Sequence, residues 1–214
     1  MEYINLSAKE FVEKTFSKEP VPGGGGVAAI VGALGAALGG MVCNLTTGKK
    51  KYAQYQADIE RITEQAQKLQ DDLLSYVDQD AQNFLPLSKA YGLPKDTEEE
   101  KKHKDEVLQA ALKEAIKVPI YIVKTCYETI KLEEELAEKG SMLAISDVAC
   151  GMLCLKAAIR SGWMNVVVNL NTISDKEYVE NVTKELLPLL KEGEEICDRT
   201  YKVVAEKLNA PKED

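Results

Sequence analysis

The chain has 214 residues, of which 45% are hydrophobic and 29% are charged, a balance that excludes a disordered polypeptide. Its formal net charge of −8 argues against nucleic acid as a partner, because an acidic surface repels phosphate backbones. Only three Phe and one Trp occur, whereas Ala, Leu, Lys and Glu are abundant, so the composition favours helices over strands.

The first two helices are predicted from their ends. Ser7 and Glu10 have the spacing of a capping box, so we expect the first helix to follow Ser7. The second helix should begin at the glycine run 23–26 and end near Thr47 and Gly48. The lysines at 49–51 would then complement the dipole at its C-terminal end.

The second predicted helix requires a membrane check, because no charged residue occurs between Pro20 and Gly48. Its many glycines keep the gain from transfer into lipid modest. Small residues recur every four positions and would let another helix approach closely; they are Ala28, Gly32, Ala36 and Gly40. We expect a buried central helix and no membrane association, with a membrane hairpin as the alternative.

The middle of the chain predicts two long helices. Apolar residues from Ile59 onward repeat at three- and four-residue steps, which is typical of an amphipathic helix that Pro86 should kink or end. Thr97 and Glu100 form a second capping box that opens the next helix. Pro119 should break or bend that helix in its middle.

The last third predicts three further helices. One spans about 145–159, and a short buried helix at 163–171 is favoured over a strand because no other segment offers a partner strand. A capping box at Ser174 and Glu177 should open the last long helix. The predicted fold is all-α: residues 1–214 form one domain, a helical bundle of long amphipathic helices around a Gly/Ala-rich buried helix.

The cysteine and histidine content predicts no metal site. The five cysteines include no C-x-x-C, and His103 is the only histidine. We interpret the cysteines as buried thiols of a reducing compartment. Met1 leads into a polar, charged segment and not into a signal peptide, so a cytoplasmic location is expected.

Two carboxylates are candidates for chemistry. Asp80 lies on the same apolar helix face as Val77 and Phe84, where a charge is costly unless a cation or hydrogen-bond donors meet it. A functional site and a buried structural ion pair both fit Asp80. Asp147 lies near the start of its helix, where capping and the helix dipole would be sufficient to explain it.

Polar groups of two other segments could bind a ligand. Asn165 and Asn169 would share one face of a helix in an otherwise apolar segment, and buried amides must hydrogen-bond either to backbone or to a ligand. Gly24, Gly25 and Gly26 would offer free backbone N–H groups at a helix start, where anionic or polar groups bind. By themselves the glycines are a weak signal, because no phosphate-loop pattern follows them.

These segments resemble the cyclodeaminase/cyclohydrolase family. The matching stretches occur in the family's order along nearly the whole chain: PVPGGGGVAA (20–29), MVCNLTTGKKKY (41–52), VDQDAQNF (77–84), LPKDTEEEK (93–101), KVPI (117–120), AISDV (144–148) and NVVVNL (165–170). Two details depart from the pattern, namely Ser141-Met142 before AISDV and Val27 after the fourth glycine. The resemblance implies an all-α, typically dimeric protein.

The resemblance also implies a substrate, and the chemistry of that substrate leads us to a hypothesis for the role of each candidate residue. The substrate would be a tetrahydrofolate derivative with one carbon on its 5- and 10-nitrogens, and no prosthetic group would be needed. Asp80 and Asp147 would stabilise the substrate cation and transfer protons, and Lys50 would bind the folate glutamates or transfer a proton. Gly24–Gly26, Asn165 and Asn169 would hold the substrate. The folate could carry a polyglutamate tail.

Two readings stay open at this stage. Cyclohydrolase and cyclodeaminase activity cannot be separated by these motifs. A non-catalytic helical bundle is the alternative from another class, and it predicts that Asp80 is paired with a Lys or Arg in the core.

Overall fold

The computed structural model describes residues 2–211, and every regular element among them is helical. The helices are α1 (Ala8–Thr15), α2 (Gly24–Thr46), α3 (Gln56–Tyr91), α4 (Glu98–Ala115), α5 (Lys117–Glu134), α6 (Leu136–Lys139), α7 (Ile145–Leu170) and α8 (Lys176–Lys207). Short 3₁₀ turns occupy Tyr3–Asn5, Lys50–Tyr55 and Met142–Ala144. The predicted all-α bundle is confirmed; residues 1 and 212–214 of the predicted single domain lie outside the described range.

Helix α2 is the centre of the bundle, as predicted. It packs against α3, α5 and α7, and its small residues allow these close approaches. A Cβ at Gly32 would lie 3.0 Å from the Cys126 sulfur, and one at Gly35 would lie 2.7 Å from Leu155. Three members of the small-residue stripe, Ala28, Gly32 and Ala36, are therefore buried within the chain.

Helices α3 and α7 both run antiparallel to α2. Gly26, at the start of α2, lies beside Val77 and Asp80 near the end of α3, whereas Ile59 at the start of α3 shares a hydrophobic cluster with Val42. Gly24 likewise lies beside Asn165 near the end of α7. The bundle thus has two ends, which we call the glycine end (around Gly24–Gly26) and the lysine end (around Lys49–Lys51).

Several predicted helix boundaries are confirmed. Ser7 and Thr97 each accept a hydrogen bond from the third helical N–H in a complete capping box. The expected break near Pro119 occurs at Ile116, which places Pro119 in the first turn of α5, where a missing N–H costs nothing.

Other boundaries differ from the prediction. Helix α3 does not end at Pro86 but continues through it to Tyr91, so the predicted helix end at Pro86 is wrong. The two segments predicted at 145–159 and 163–171 form one helix, because the apolar residues of both face the same core. The last helix is capped by Asp175, whose carboxylate accepts from the N–H of Tyr178, so the proposed box at Ser174 is wrong by one residue.

Two helical segments are long and apolar enough to cross a membrane by length and composition alone. They are Gly24–Thr46 and Met142–Leu170, and 56% and 50% of their most apolar windows are buried inside the bundle. All five cysteines are free thiols. Cys43, Cys126 and Cys197 are buried as expected, but Cys150 is exposed.

Candidate active site

The glycine end of the bundle contains a small cavity of about 180 Å³. It is enclosed by the segment that leads into α2, by the last third of α3, by the α4–α5 junction and by the end of α7. Its polar lining consists of residues that the sequence had singled out: Gly24, Gly25, Asp80, Asn165 and Asn169. None of the lining residues is a Lys, Arg or His.

Asp80 is the only carboxylate among the lining residues. Its Oδ2 accepts a hydrogen bond from the backbone N–H of Gly26 at 3.1 Å. Burial raises the pKa of Asp80 to about 6, and the Gly26 hydrogen bond opposes that shift only in part. No Lys or Arg in the described range 2–211 forms an ion pair with Asp80. The structural alternative, a buried ion pair, is therefore wrong.

The glycines at the start of α2 make room for the polar side chains opposite them. A Cβ at Gly25 would overlap the Asp80 carboxylate, and one at Gly24 would lie 3.1 Å from the Asn165 side-chain nitrogen. Because position 25 carries no side chain, the backbone N–H of Gly26 can reach Asp80. The glycine run thus positions Asp80.

Asn165 and Asn169 lie one turn apart on α7, as expected. The Nδ2 of Asn165 donates to the carbonyl of Ser161 at 2.9 Å, and the Nδ2 of Asn169 donates to the carbonyl of Asn165 at 2.8 Å. Because each amide nitrogen has given one of its two N–H donors to its own helix, the Oδ1 atom and the second N–H of each side chain are left for a ligand.

The structure does not bring Lys50 and Asp147 to this cavity. Asp147 lies 18 residues before Asn165 on α7, which corresponds to about 27 Å of helix. Lys50 follows the far end of the 23-residue helix α2, about 30 Å from Gly26. Within one chain the predicted site is therefore split between the two ends of the bundle, because sequence motifs carry no information about which end of a helix pair they occupy.

Sequence reasoning missed the polar network that shapes the lysine end. The Lys49 ammonium donates to the Ser141 hydroxyl at 2.9 Å, and the N–H of Met142 donates to the Tyr52 hydroxyl at 2.9 Å. That hydrogen bond and the neighbouring lysines lower the pKa of Tyr52. Lys51 lies over the Tyr52 ring, 5.6 Å from its centroid.

Two further carboxylates had unrecognised roles. Asp78 accepts from the backbone N–H groups of Tyr3 and Ile4 and so fixes the N-terminal segment to α3. Glu133 is completely buried between Gly39 and Gly151, and neither of its oxygens has a hydrogen-bond partner within residues 2–211. The sequence contained a signal for this burial. Glu133 follows the apolar residues Cys126 and Ile130 by seven and three positions, and residues at these spacings share a helix face.

The described part of the chain contains no group of three His, Cys, Asp or Glu side chains placed to hold a metal ion.

Comparison with known protein families gives a match over most of the chain. The model described as formiminotransferase-cyclodeaminase matches residues 7–187.

Curated proteins and solved structures agree with that match. The chain is 42% identical to the methenyltetrahydrofolate cyclohydrolase of Methylorubrum extorquens over 205 residues, covering 96% of this chain and 99% of that protein. It is 31% identical to the formimidoyltransferase-cyclodeaminase of Rattus norvegicus, but spans only 35% of that protein. It also resembles the crystal structure of a formiminotetrahydrofolate cyclodeaminase from Thermotoga maritima, with a TM-score of 0.78, 34% identity and 96% coverage of both chains.

Proposed function

The chain belongs to the formiminotransferase-cyclodeaminase family, and from this premise we propose that it is a folate one-carbon enzyme that hydrolyses the bridge of 5,10-methenyltetrahydrofolate. The observation that carries the proposal is Asp80, a desolvated carboxylate beside which residues 2–211 place no Lys, Arg or His. The methenyl substrate carries a delocalised positive charge on the bridge between its 5- and 10-nitrogens. The cavity therefore lacks the charge that this substrate brings.

Electrostatics would favour the reacting bridge in this cavity. A fixed negative charge in a site with little water stabilises a cation far more strongly than it does in bulk water. The substrate cation would in turn lower the pKa of Asp80 from about 6, so the carboxylate is ionised in the complex at neutral pH. The Oδ1 atoms of Asn165 and Asn169 would accept hydrogen bonds from the pterin ring.

The chemical step needs a water and a proton acceptor. Water adds to the bridging carbon and Asp80 accepts one of its protons, which leaves a neutral adduct with a hydroxyl group on that carbon. Asp80 returns this proton to one of the two nitrogens as its carbon–nitrogen bond breaks, and the hydroxyl proton passes to solvent as the carbon–oxygen double bond forms. The carbon leaves the site as a formyl group on the other nitrogen. A carboxylate with a pKa of about 6 can accept a proton and return it near neutral pH, which is worth about 10²–10⁴ in rate.

Cyclodeamination of 5-formiminotetrahydrofolate is the second candidate, favoured by the likeness to the Thermotoga maritima enzyme. There the 10-nitrogen attacks the formimino carbon and ammonia leaves with a proton from the site. This activity would connect the protein with histidine catabolism. Both reactions place the same bridge in the cavity and use the same carboxylate.

The proposal extends to the setting of the enzyme. It acts in the cytoplasm as a homodimer, without membrane association and without nucleic acid. Its substrate is a small-molecule folate, with or without a polyglutamate tail. Both reactions require only water and proton transfer, so no prosthetic group is called for.

The test is direct. Purified protein is mixed with methenyltetrahydrofolate, and the loss of the near-ultraviolet absorbance of the substrate is followed against the uncatalysed rate. We expect turnover by the native protein and a loss of about 10²–10⁴ in kcat for Asp80→Asn. The matched control is Asp71→Asn, an exposed carboxylate on α3.

The outcomes separate the claims. If the native protein turns over only 5-formiminotetrahydrofolate, the second candidate is correct. No turnover of either folate rules out the function. Full activity in Asp80→Asn rules out the mechanism and leaves the family unaffected.

A further inference from the structure

Among the described residues that line the Asp80 cavity, Phe84 has the only aromatic side chain. It lies four positions after Asp80 on α3, so the two side chains point to the same side of that helix. Phe84 is partly buried: it packs against the main hydrophobic cluster and also lines the cavity. The chemistry of the bridge gives this ring no role.

The cavity lining is arranged in two layers along the helix axes. The first layer consists of Asp80 and Asn165, which lie opposite the glycines 24–25 at the start of α2. Helices α3 and α7 run in the same direction, because both are antiparallel to α2. Phe84 and Asn169 each follow a first-layer residue by four positions. They therefore form a second layer, one helical turn or about 5.4 Å beyond the first.

The second layer combines an apolar surface with a buried amide. The Nδ2 of Asn83 donates to the carbonyl of Glu114 at 3.2 Å, which places the apolar Ala115 of the cavity wall beside Phe84. Asn169 is only 6% exposed, and its helix leaves the Oδ1 atom and one N–H of its amide unused. A flat ring with apolar faces and a polar edge fits this layer, with one face against Phe84 and the edge at Asn169.

We propose that Phe84 is the stacking surface for the pterin ring of the substrate and that, together with Asn169, it makes the site specific for a pterin. The pyrimidine edge of a pterin carries a carbonyl oxygen, ring nitrogens and an amino group, so it can both donate to and accept from the Asn169 amide. The cationic bridge is fused to the opposite side of the same ring system. With the ring on Phe84, the bridge therefore lies at Asp80 in the first layer.

This inference rests on the proposed function and specifies the part of the site that binds the ring. The face of an aromatic ring attracts a nearby cation, so the charge of the bridge adds to the stacking on Phe84. That charge is lost when water adds to the bridging carbon. Phe84 therefore favours the bound substrate at least as much as the transition state, and its loss should raise KM with little change in kcat.

The first experiment measures turnover of methenyltetrahydrofolate by ring variants. Phe84→Leu keeps an apolar side chain but removes the ring, and we expect KM to rise about tenfold while kcat stays within about twofold. Phe84→Tyr keeps the ring and should remain within about threefold of the native KM. The control is Tyr91→Leu, which removes an exposed ring from the same helix and should behave like the native protein. A native KM in Phe84→Leu overturns the proposal.

The second experiment measures binding of 6-methylpterin, a compound that has the ring but neither the bridge nor the glutamate. Equilibrium dialysis should show binding by the native protein, about tenfold weaker binding by Phe84→Leu and unchanged binding by Asp80→Asn, because the probe brings no cation to the first layer. A native protein that does not bind 6-methylpterin overturns the pterin site. Binding that depends on Phe84, in a protein that turns over neither folate, overturns the proposed function alone.

Fluorine NMR tests the contact without any change at position 84. The chain contains three phenylalanines, so protein labelled with 4-fluorophenylalanine should give three signals. The variants Phe11→Leu and Phe16→Leu assign two of them, and the third belongs to Phe84. The ring current of a stacked pterin shifts the resonances of nuclei above its face, so saturating 6-methylpterin should move the Phe84 signal and leave the other two in place. A Phe84 signal that stays in place at saturation overturns the proposal, even where Phe84→Leu fails to fold.

Discussion

Asp80 has opposite effects on catalysis and on stability. Its pKa is raised to about 6, so the folded protein holds the proton more tightly than the unfolded chain does. The contribution of this group to stability is therefore complete at low pH and is lost as the pH rises from about 4 to about 6. Above that window the native protein carries the cost of a desolvated charge.

We expect Asp80→Asn to be more stable than the native protein above pH 6. A shift of about two pKa units corresponds to about 3 kcal/mol, or a rise in Tm of several degrees in a chain of this size. Calorimetry at pH 4 and pH 7.5 measures the difference, which should vanish at the lower pH. If Asp80→Asn and the native protein had the same Tm at both pH values, Asp80 would already be neutralised in the free protein.

Glu133 tests the same physics away from the cavity. Complete burial raises its pKa well above the ordinary range, so the folded protein holds it in the neutral form. Ionisation in the unfolded chain alone then lowers stability as the pH rises above the ordinary glutamate value. The neutral variant Glu133→Gln should exceed the native Tm by a few degrees at pH 8, with a gap that narrows toward pH 4.

The control for that measurement is Glu128→Gln, an exposed glutamate on the same helix. Its Tm should follow the native curve across the pH range. A gap between Glu133→Gln and the native protein that does not change with pH would mean that Glu133 is ionised in the fold.

At the scale of the helix, the start of α2 links sequence to site most directly. The backbone N–H of Gly26 there donates to Asp80, and the absent side chain of Gly25 leaves the space that the Asp80 carboxylate fills. Alanine is a better helix former than glycine, so propensity alone predicts that Gly25→Ala stabilises the protein by about 1 kcal/mol. The close contact with Asp80 predicts the opposite, namely that Gly25→Ala destabilises the protein.

We expect packing to decide the Gly25→Ala variant. The new methyl would overlap the Asp80 carboxylate, so either Asp80 leaves the Gly26 N–H or α2 shifts. Activity should fall at least about tenfold and the Tm should decrease by a few degrees. Gly92→Ala at the end of α3 is the control, because a Cβ there would meet only the Lys89 carbonyl at 3.4 Å. An active, more stable Gly25→Ala would mean that the site does not need this close approach.

Helix ends with a local chemical signature could be predicted from the sequence. The boxes at Ser7 and Thr97 depend on residues three apart, and both formed. At Ser174 the neighbouring Asp175 offered a competing oxygen, and the sequence does not rank two adjacent caps. The predicted break before Trp163 was wrong. Gly162 stands at that point, but it is a close-packing position against Ile122 and does not end the helix.

The site was predictable as a set of residues but not as an arrangement. Asp80 was recognisable because a carboxylate interrupted an apolar stripe, which is a local pattern. The separation of Lys50 and Asp147 from Asp80 depends on α2, α3 and α7 lying antiparallel, and that is a property of the whole bundle. The spacing of apolar residues predicts which face of a helix is buried, but it does not predict which helix ends lie next to each other.

At the scale of the whole molecule, the N-terminal segment is coupled to the cavity. Residues 2–19 pack through Tyr3, Ile4 and Phe11 on the main hydrophobic cluster, and the chain then passes directly into Pro20 and Val21 of the cavity wall. The carboxylate of Asp78 is the polar anchor of this segment, through the N–H groups of Tyr3 and Ile4. Asp78 and Asp80 are two residues apart on α3 and therefore point in different directions. Asp78 holds the segment that forms the cavity wall, whereas Asp80 lines the cavity itself.

We expect Asp78→Ala to change substrate binding more than the chemical step. Loss of the anchor should let residues 2–19 leave the bundle, which makes them sensitive to trypsin, and should raise KM about three- to tenfold because the wall at Pro20 loses its support, a cost of about 1 kcal/mol. The value of kcat should stay within about twofold, since Asp80 and its bond to the Gly26 N–H are untouched. Asp71→Ala, an exposed change on the same helix, should alter neither quantity. A fall in kcat at constant KM would place Asp78 in the chemistry instead of the wall.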